Sequence, residues 1–125
     1  MKKYITSLLL AATMLAPGRI AEAHHSMAMF DATKTITLIG NIKSFRWTSP
    51  HALIEITVQY KTGPIDWTVE MGNISGLMQA GWTPTTIKFG DPVKIDCHPL
   101  RSGLAGCNFQ SLTLPDGKVM TLQRE

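Results

Sequence analysis

The side chains best suited to chemistry are histidines and methionines near the start of the chain. His24 and His25 are adjacent, Met27 and Met29 follow them, and His51 lies further along. If the chain is cut before His24, the free α-amine and ring Nδ1 of that residue can chelate one Cu(II) ion. A second imidazole would complete a brace of three nitrogens. His51 is the preferred second imidazole because it opens a predicted strand on its polar face, and His25 is a further candidate.

The methionines and the α-amine affect how such a site would behave. Met27 and Met29 supply soft thioether sulfurs, which favour Cu(I). An α-amine has a reference pKa of about 8, so metal binding through it would weaken as the pH falls. Copper is therefore the metal that these residues indicate.

Structural roles explain the same residues without a metal. Two histidines at a cleaved terminus can be ordinary solvated side chains. His51 can hydrogen-bond a loop carbonyl and fix the start of a strand. Met27 and Met29 can pack, together with Phe30, over an open barrel end. Both interpretations stay open at the level of the sequence.

The first 23 residues have the three regions of a secretory signal peptide. Lys2 and Lys3 are positive, an apolar run follows, and Ala21-Glu22-Ala23 supplies small residues at a cleavage site. Cleavage after Ala23 would place the mature chain in the periplasm, with residues 24–33 expected to be flexible. The apolar run is too short to cross a membrane, which takes roughly 20 residues. No membrane span is therefore expected after cleavage.

The charge of the mature chain argues against nucleic acid as a partner. The full chain carries 12 basic and 9 acidic residues, and the signal peptide contains three of the basic and one of the acidic ones. The mature chain is therefore close to +1 at pH 7 with neutral histidines. This charge gives no electrostatic footprint for nucleic acid.

The two cysteines, Cys97 and Cys107, predict a disulfide bond. In an oxidising compartment an even pair of cysteines indicates a bridge, here across a turn-like stretch between two strands. The rival interpretation makes Cys97 and His98 metal ligands. Neighbouring residues on a strand point to opposite faces, so the sequence favours the disulfide.

Alternating apolar residues predict several short strands. The apolar residues between positions 36 and 42 favour even numbers, whereas Phe45 and Trp47 are odd. A bulge near Ser44 would bring both sets to one face. Further strands are predicted at residues 51–60, 65–71, 90–97, 107–114 and 119–122.

A change of period after the third strand predicts one short helix. Asn73 can cap it and Gly81 can end it. Its apolar face would hold Ile74, Leu77 and Met78. Three strands, a helix and two or three more strands is the order of an OB-type barrel. We therefore predict an all-β domain with one short helix at residues 34–125, a small OB-like barrel of five or six strands, with an open sandwich as the alternative.

No catalytic constellation stands out. The carboxylates form no evident acid and base pair, Ser26 and Ser75 lack a nucleophile motif, and there is no glycine-rich phosphate loop. Trp47, Trp67 and Trp82 are typical of core or barrel-end packing. The sequence favours a protein that is not an enzyme, without deciding the question.

Several short motifs together resemble a family of small exported bacterial proteins of unknown function. They are His24-His25-Ser26 after the signal, Trp47-Thr48-Ser49-Pro50-His51-Ala52, a "W-x-x-E" strand from Trp67, Gly81-Trp82 and Gly90-Asp91. The resemblance covers nearly the whole mature chain. It implies an exported location and a fold more than an activity.

Two functions of different classes follow. The first is an exported binding module whose barrel face or end holds a small ligand, a metal ion or a periplasmic protein. The residues expected near this site are His24, His25, Trp47, His51 and Trp82. The second is a copper-dependent redox protein or copper carrier that uses a histidine brace at His24. Binding of single-stranded nucleic acid, which the fold alone suggests, is disfavoured by export and charge.

Overall fold

The computed structural model describes residues 27–123. Between residues 36 and 121 the chain forms six strands and one short helix. They are β1 (Ile36–Arg46), β2 (Leu53–Tyr60), β3 (Gly63–Glu70), α1 (Ile74–Gln79), β4 (Pro92–Pro99), β5 (Gly106–Thr113) and β6 (Val119–Thr121). No helix in the described range has the length and apolar character needed to span a membrane.

Five strands close into a barrel. β1 pairs antiparallel with β2 and β4, β2 pairs with β3, and β4 pairs with β5. A parallel pairing between β3 and β5 closes the ring, with Thr68 opposite Gly106 and Glu70 opposite Asn108. β6 adds to the edge of β5. This strand order, with α1 between β3 and β4, is that of an OB-type barrel. The predicted fold class is confirmed, and the open sandwich is excluded.

A bulge in β1 moves its apolar residues from one parity to the other. The pairing with β2 shifts between Ile42 and Ser44, so Lys43 is the extra residue. Ile42 before the bulge is buried, and Phe45 after it packs against the same core. The bulge predicted near Ser44 is therefore confirmed.

β1 pairs with β2 on one side and with β4 on the other, and at Gly40 this close pairing depends on the absence of a side chain. Gly40 pairs with Val58 of β2 and with Val93 of β4. A Cβ atom at this position would lie 2.1 Å from the carbonyl oxygen of Thr57. Only glycine allows the strands to approach so closely.

Helix α1 contributes Leu77 to the core. The Oδ1 atom of Asn73 accepts a hydrogen bond of 2.8 Å from the N–H of Gly76, which confirms the predicted cap. Leu77 is 1% exposed, whereas Met78 is 62% exposed. The prediction that Met78 belongs to the buried apolar face of the helix is therefore wrong. Successive residues of a helix point about 100° apart, so Leu77 and Met78 cannot both face the core from this six-residue helix.

The disulfide between Cys97 and Cys107 joins β4 to β5. The Cα atoms of the two cysteines are 5.7 Å apart, and both side chains are fully buried. The predicted pairing is confirmed. The alternative in which Cys97 is a metal ligand is wrong, because its sulfur is bonded to Cys107.

Candidate functional site

Two loops lie next to the end of β3, beside the seam between β3 and β5. The β1–β2 loop (residues 47–52) leads into Leu53, which pairs with Glu70 at the end of β3. The β4–β5 loop (residues 100–105) leads into Gly106, which pairs with Thr68. The strand register therefore brings both loops next to the last residues of β3.

A groove of about 290 Å³ lies beside these loops, hereafter the Glu70 groove. Its apolar lining includes Met29, Phe30, Leu53, Leu100, Leu104 and Ala105. Its polar side chains are those of Thr68 and Glu70, and Glu70 is the one charged residue of the lining. Apolar walls with a few polar groups are typical of small-molecule sites, and this volume is close to their lower limit of roughly 300 Å³.

The start of the described chain is held against the β4–β5 loop. Phe30 forms an isolated antiparallel bridge with Leu100, and it is 6% exposed. The N–H of Arg101 donates a hydrogen bond of 2.8 Å to the carbonyl of Met29, and the N–H of Asp31 donates one of the same length to the carbonyl of Pro99, at the end of β4. Residues 24–33 were expected to be flexible, and the part of them around Phe30 is attached to the barrel here. Because of this attachment, the side chain of Met29 lines the groove.

His51 lies next to Glu70, with one ring nitrogen bound to the backbone. Its Nδ1 atom is 3.1 Å from the carbonyl oxygen of Met71. A carbonyl oxygen only accepts, so Nδ1 carries the proton and donates. The same Nδ1 is 3.8 Å from Oε1 of Glu70, which is too long for a hydrogen bond. From the sequence, His51 was expected to have either a structural role, with a hydrogen bond to a backbone carbonyl, or a role as a metal ligand. The structural hydrogen bond is present, and the Nε2 atom of His51 is left for another partner.

The predicted metal ligands fall partly outside the described chain. His24 and His25 precede residue 27 and lie outside it. Met27 is 61% exposed and Met29 is 55% exposed. Among residues 27–123, no cluster of three or more His, Cys, Asp or Glu side chains could hold a metal ion. A metal centre that includes His51 would therefore take its further ligands from the predicted set, the sulfurs of Met27 and Met29 or the imidazoles of His24 and His25.

Trp47 and Trp82 were both predicted to contact a ligand, and the structure gives them different exposures. Trp82 is 1% exposed, and its Nε1 donates a hydrogen bond of 2.7 Å to the carbonyl of Thr121. Its ring packs edge-on against Phe109, so it offers no free face to a ligand. Trp47 is half-buried, edge-on against Phe45 with ring centroids 5.6 Å apart. Trp82 is therefore a core residue, and Trp47 keeps part of its ring accessible.

Leu53, Glu70 and Leu104 were not predicted as site residues. Leu53 is apolar but lies in the outward phase of β2, next to the buried Ile54. An apolar residue in the polar phase of a strand was the available signal for it. Leu104 is 70% exposed in a loop without periodicity, so no pattern pointed to it.

The outward face of β2 and β3 beside the groove is polar. Asp66 accepts hydrogen bonds from Lys43 and from the hydroxyl of Thr57. The bond from Lys43, and then that from Thr57, holds the pKa of Asp66 below its ordinary value. The same contact with Asp66 raises the pKa of Lys43. Glu55 accepts a hydrogen bond of 2.9 Å from Ser44. The lysine on this face is thus already matched by a carboxylate.

The fold and the groove define a small OB-type barrel with a candidate ligand site beside its β1–β2 and β4–β5 loops. The chain belongs to DUF6152, a family of unknown function, whose model matches residues 12–109. This agrees with the expected membership of a family of unknown function. A search of curated proteins found no match.

Two solved structures share the fold. They are two crystal forms of Rim1, the mitochondrial single-stranded DNA binding protein of S. cerevisiae, at 13% and 11% sequence identity. Each comparison has a TM-score of 0.51 and covers 66% of this chain, with 93% and 92% of the Rim1 chains covered. At this identity the likeness concerns the barrel and its topology.

Proposed function

We propose that this chain is an exported periplasmic binding module and that a small ligand binds in the Glu70 groove. The observation that carries the proposal is the position of this apolar groove, beside the β1–β2 and β4–β5 loops and against β3. OB-type barrels bind their ligands with the face of strands 2 and 3 and these same two loops. The analogy supplies only the location. The small volume and the apolar walls support a small molecule as the ligand.

The charges around the groove favour a ligand other than nucleic acid. Single-strand-binding barrels combine a basic groove with aromatic rings on which bases stack. The outward positions of β2 and β3 instead carry Glu55, Asp66 and Glu70, and they carry no aromatic residue. Carboxylates at these positions would repel phosphates. The DNA binding of Rim1 is therefore not transferred to this chain.

Export rests on the signal-like residues 1–23 and is supported by the disulfide, since such bonds persist in oxidising compartments. The test is expression of the full chain in a bacterium, followed by fractionation and intact-mass measurement. We expect a periplasmic protein that begins at His24 and has two hydrogens fewer than the reduced chain. A cytoplasmic protein of full length would contradict the proposal.

Groove binding is tested by methyl NMR with 1-hexanol as a neutral apolar probe. We expect saturable shifts of the Met29, Leu53 and Leu104 methyl groups with millimolar affinity. Ala105→Trp should block the groove and abolish these shifts, because Ala105 lines it. Ala32→Trp is the matched control, since Ala32 is exposed and outside the lining. Shifts spread over the whole surface, or unchanged by Ala105→Trp, would contradict the proposal.

A copper site is the second candidate function, and the geometry of His51 favours it. Metal-binding histidines commonly donate one ring N–H to a backbone carbonyl, which orients the other nitrogen toward the metal. His51 makes this bond to Met71. The α-amine, the imidazoles and the thioethers would together suit copper in both oxidation states.

The copper candidate is tested with protein that begins at His24 and with a version that carries one extra N-terminal glycine. A brace needs the α-amine of His24, so tight one-to-one Cu(II) binding should be lost in the extended version. His51→Ala should weaken binding. His98→Ala is the control, because His98 makes the same kind of contact, from Nδ1 to the carbonyl of Lys34, but is not a ligand of the proposed brace. Equal and weak binding in all four proteins would remove copper from consideration.

A further inference from the structure

The carboxylate of Glu70 is the unmatched charge of the Glu70 groove. Its side chain is 26% exposed, and within residues 27–123 its one basic neighbour within 4 Å is His51, at 3.8 Å. The N–H of that His51 nitrogen is already donated to Met71. No lysine or arginine nitrogen of the described chain lies within 4 Å of Glu70. A bound ligand could therefore supply the missing positive charge.

The cations nearest to the groove already have anionic partners. Arg101 follows Leu100 of the lining, but its guanidinium lies 3.9 Å from Asp31 and donates to the carbonyl of Ala28. Lys43 is paired with Asp66 on the adjacent face. Asp31 is shared with Lys34, at 3.4 Å. Neither Arg101 nor Lys43 lines the groove, so Glu70 is the charged side chain that a ligand in the groove would meet.

The walls around this carboxylate suit an apolar tail. Leu53, Leu100 and Leu104 line the groove together with Met29, and burial of each further CH₂ group of a ligand would be favourable. A volume of about 290 Å³ holds a short tail and excludes large ligands. Apolar walls and one carboxylate together match a molecule with an apolar chain and a cationic end.

We propose that the Glu70 groove takes a small organic cation, a primary ammonium group joined to a short apolar tail. The proposal rests on the proposed function and names the class of its ligand. The ammonium pairs with Glu70, and the tail contacts Leu53 and Leu104. A carboxylic acid with the same tail is repelled by Glu70, and an alcohol binds through its tail alone.

The test compares three probes with the same six-carbon tail: hexylammonium, 1-hexanol and hexanoate. Binding to the protein that begins at His24 is followed by methyl NMR at low salt and neutral pH. We expect hexylammonium to bind about fivefold more tightly than hexanol, the contribution of one partly exposed charge pair. Hexanoate should not bind measurably. The advantage of hexylammonium should shrink as salt is added.

Two variants assign the selectivity to Glu70. Glu70→Gln keeps the shape of the side chain and removes its charge, so it should abolish the preference for hexylammonium over hexanol. Glu55→Gln is the matched control, because it removes a carboxylate from the same face but outside the groove. Leu104→Ala should weaken hexylammonium and hexanol alike, since it removes apolar contact only.

The possible failures are distinguishable. Equal affinity for hexylammonium and hexanol, or a cation preference that survives Glu70→Gln, would overturn the ligand class and leave groove binding intact. Absence of saturable groove shifts with all three probes would overturn the proposed function as well.

Discussion

Phe30 and Leu100 form the bridge that joins the start of the described chain to the β4–β5 loop. Leu100 directly follows Pro99, the last residue of β4, and this strand carries Cys97 of the disulfide. Phe30 and Leu100 both line the Glu70 groove. One local pairing therefore closes the groove on one side and keeps Met29 in its lining.

Phe30→Ala should loosen this attachment. Replacing a buried Phe by Ala costs about 3–5 kcal/mol in a core, and we expect about 3 kcal/mol here, since Phe30 lies at the edge of the core. Urea unfolding measures the loss, and limited proteolysis should show faster cleavage near residues 27–34. Met27→Ala is the control, because Met27 is 61% exposed and its loss should cost less than about 0.5 kcal/mol. Equal stability of the two variants would contradict this account of the bridge.

Loss of the disulfide should destabilise the fold by about 3 kcal/mol. Cys97 and Cys107 are 10 residues apart, and closing a loop of that size restricts the unfolded chain by roughly this free energy. The measurement is the urea midpoint with and without a thiol reductant. The double variant Cys97→Ala with Cys107→Ala should have a low midpoint that no longer responds to the reductant. A reduced wild-type protein as stable as the oxidised one would argue against the prediction.

The fold could be predicted from the sequence because strands and caps have local signatures. The bulge in β1 was readable from the change of parity between Ile42 and Phe45, and the Asn73 cap from residue type and position. Closure through β3 and β5 was inferred only from the order of the elements. Met78 was misassigned because a six-residue helix is too short for periodicity to define one face.

The candidate site was much less predictable. The Glu70 groove depends on which loops the register brings together, and that information is not local in the sequence. Trp82 was predicted both as a packing residue and as a ligand contact. It lies in the turn after α1, where no period tells which way a side chain points, and only the structure shows that core packing is correct. His51 was identified because a lone histidine at a strand start is conspicuous, but its contact with Met71 needed the structure.

Trp82→Phe should weaken the packing of β6 against the rest of the barrel. The indole N–H of Trp82 donates to the carbonyl of Thr121, and losing this buried hydrogen bond leaves the carbonyl without its partner. We expect a loss of about 1–3 kcal/mol and faster amide hydrogen exchange at residues 119–121. Trp47→Phe is the matched control, since Trp47 is half-buried and should cost less. Unchanged exchange in β6 would show that Trp82 does not hold that strand.

Alanine should have opposite effects at two glycines. Gly40→Ala places a Cβ atom 2.1 Å from the backbone oxygen of Thr57, so the strands must separate, at a cost above about 3 kcal/mol. In α1, Gly76→Ala meets Asn73 Oδ1 at 3.4 Å and should stabilise by up to about 1 kcal/mol, because alanine restricts the unfolded chain. Thermal unfolding of both variants measures these effects. A tolerated Gly40→Ala would contradict the close approach of β1 and β2.

Asp31 should make stability depend on pH in the acid range. The hydroxyl of Thr33 donates a hydrogen bond of 2.6 Å to the Asp31 carboxylate. This bond, with smaller contributions from the Thr33 N–H, Lys34 and Arg101, lowers the pKa of Asp31 below its ordinary value of 3.8. The folded protein therefore holds on to this proton less strongly than the unfolded chain. The stabilisation is complete above the unfolded pKa and is lost as the pH falls through the lower, folded pKa.

Asp31→Asn removes this titration, so the fall in stability below about pH 4 should be shallower than in the wild type. Thr33→Val keeps the carboxylate and removes the main hydrogen-bond donor, so its pH dependence should lie between the two. The measurement is the urea midpoint of the three proteins from about pH 6 to about pH 2. If Asp31→Asn and the wild type differed by a constant amount over this range, the Asp31 carboxylate would have the same pKa in both states, and the Thr33 contact would not favour its ionised form.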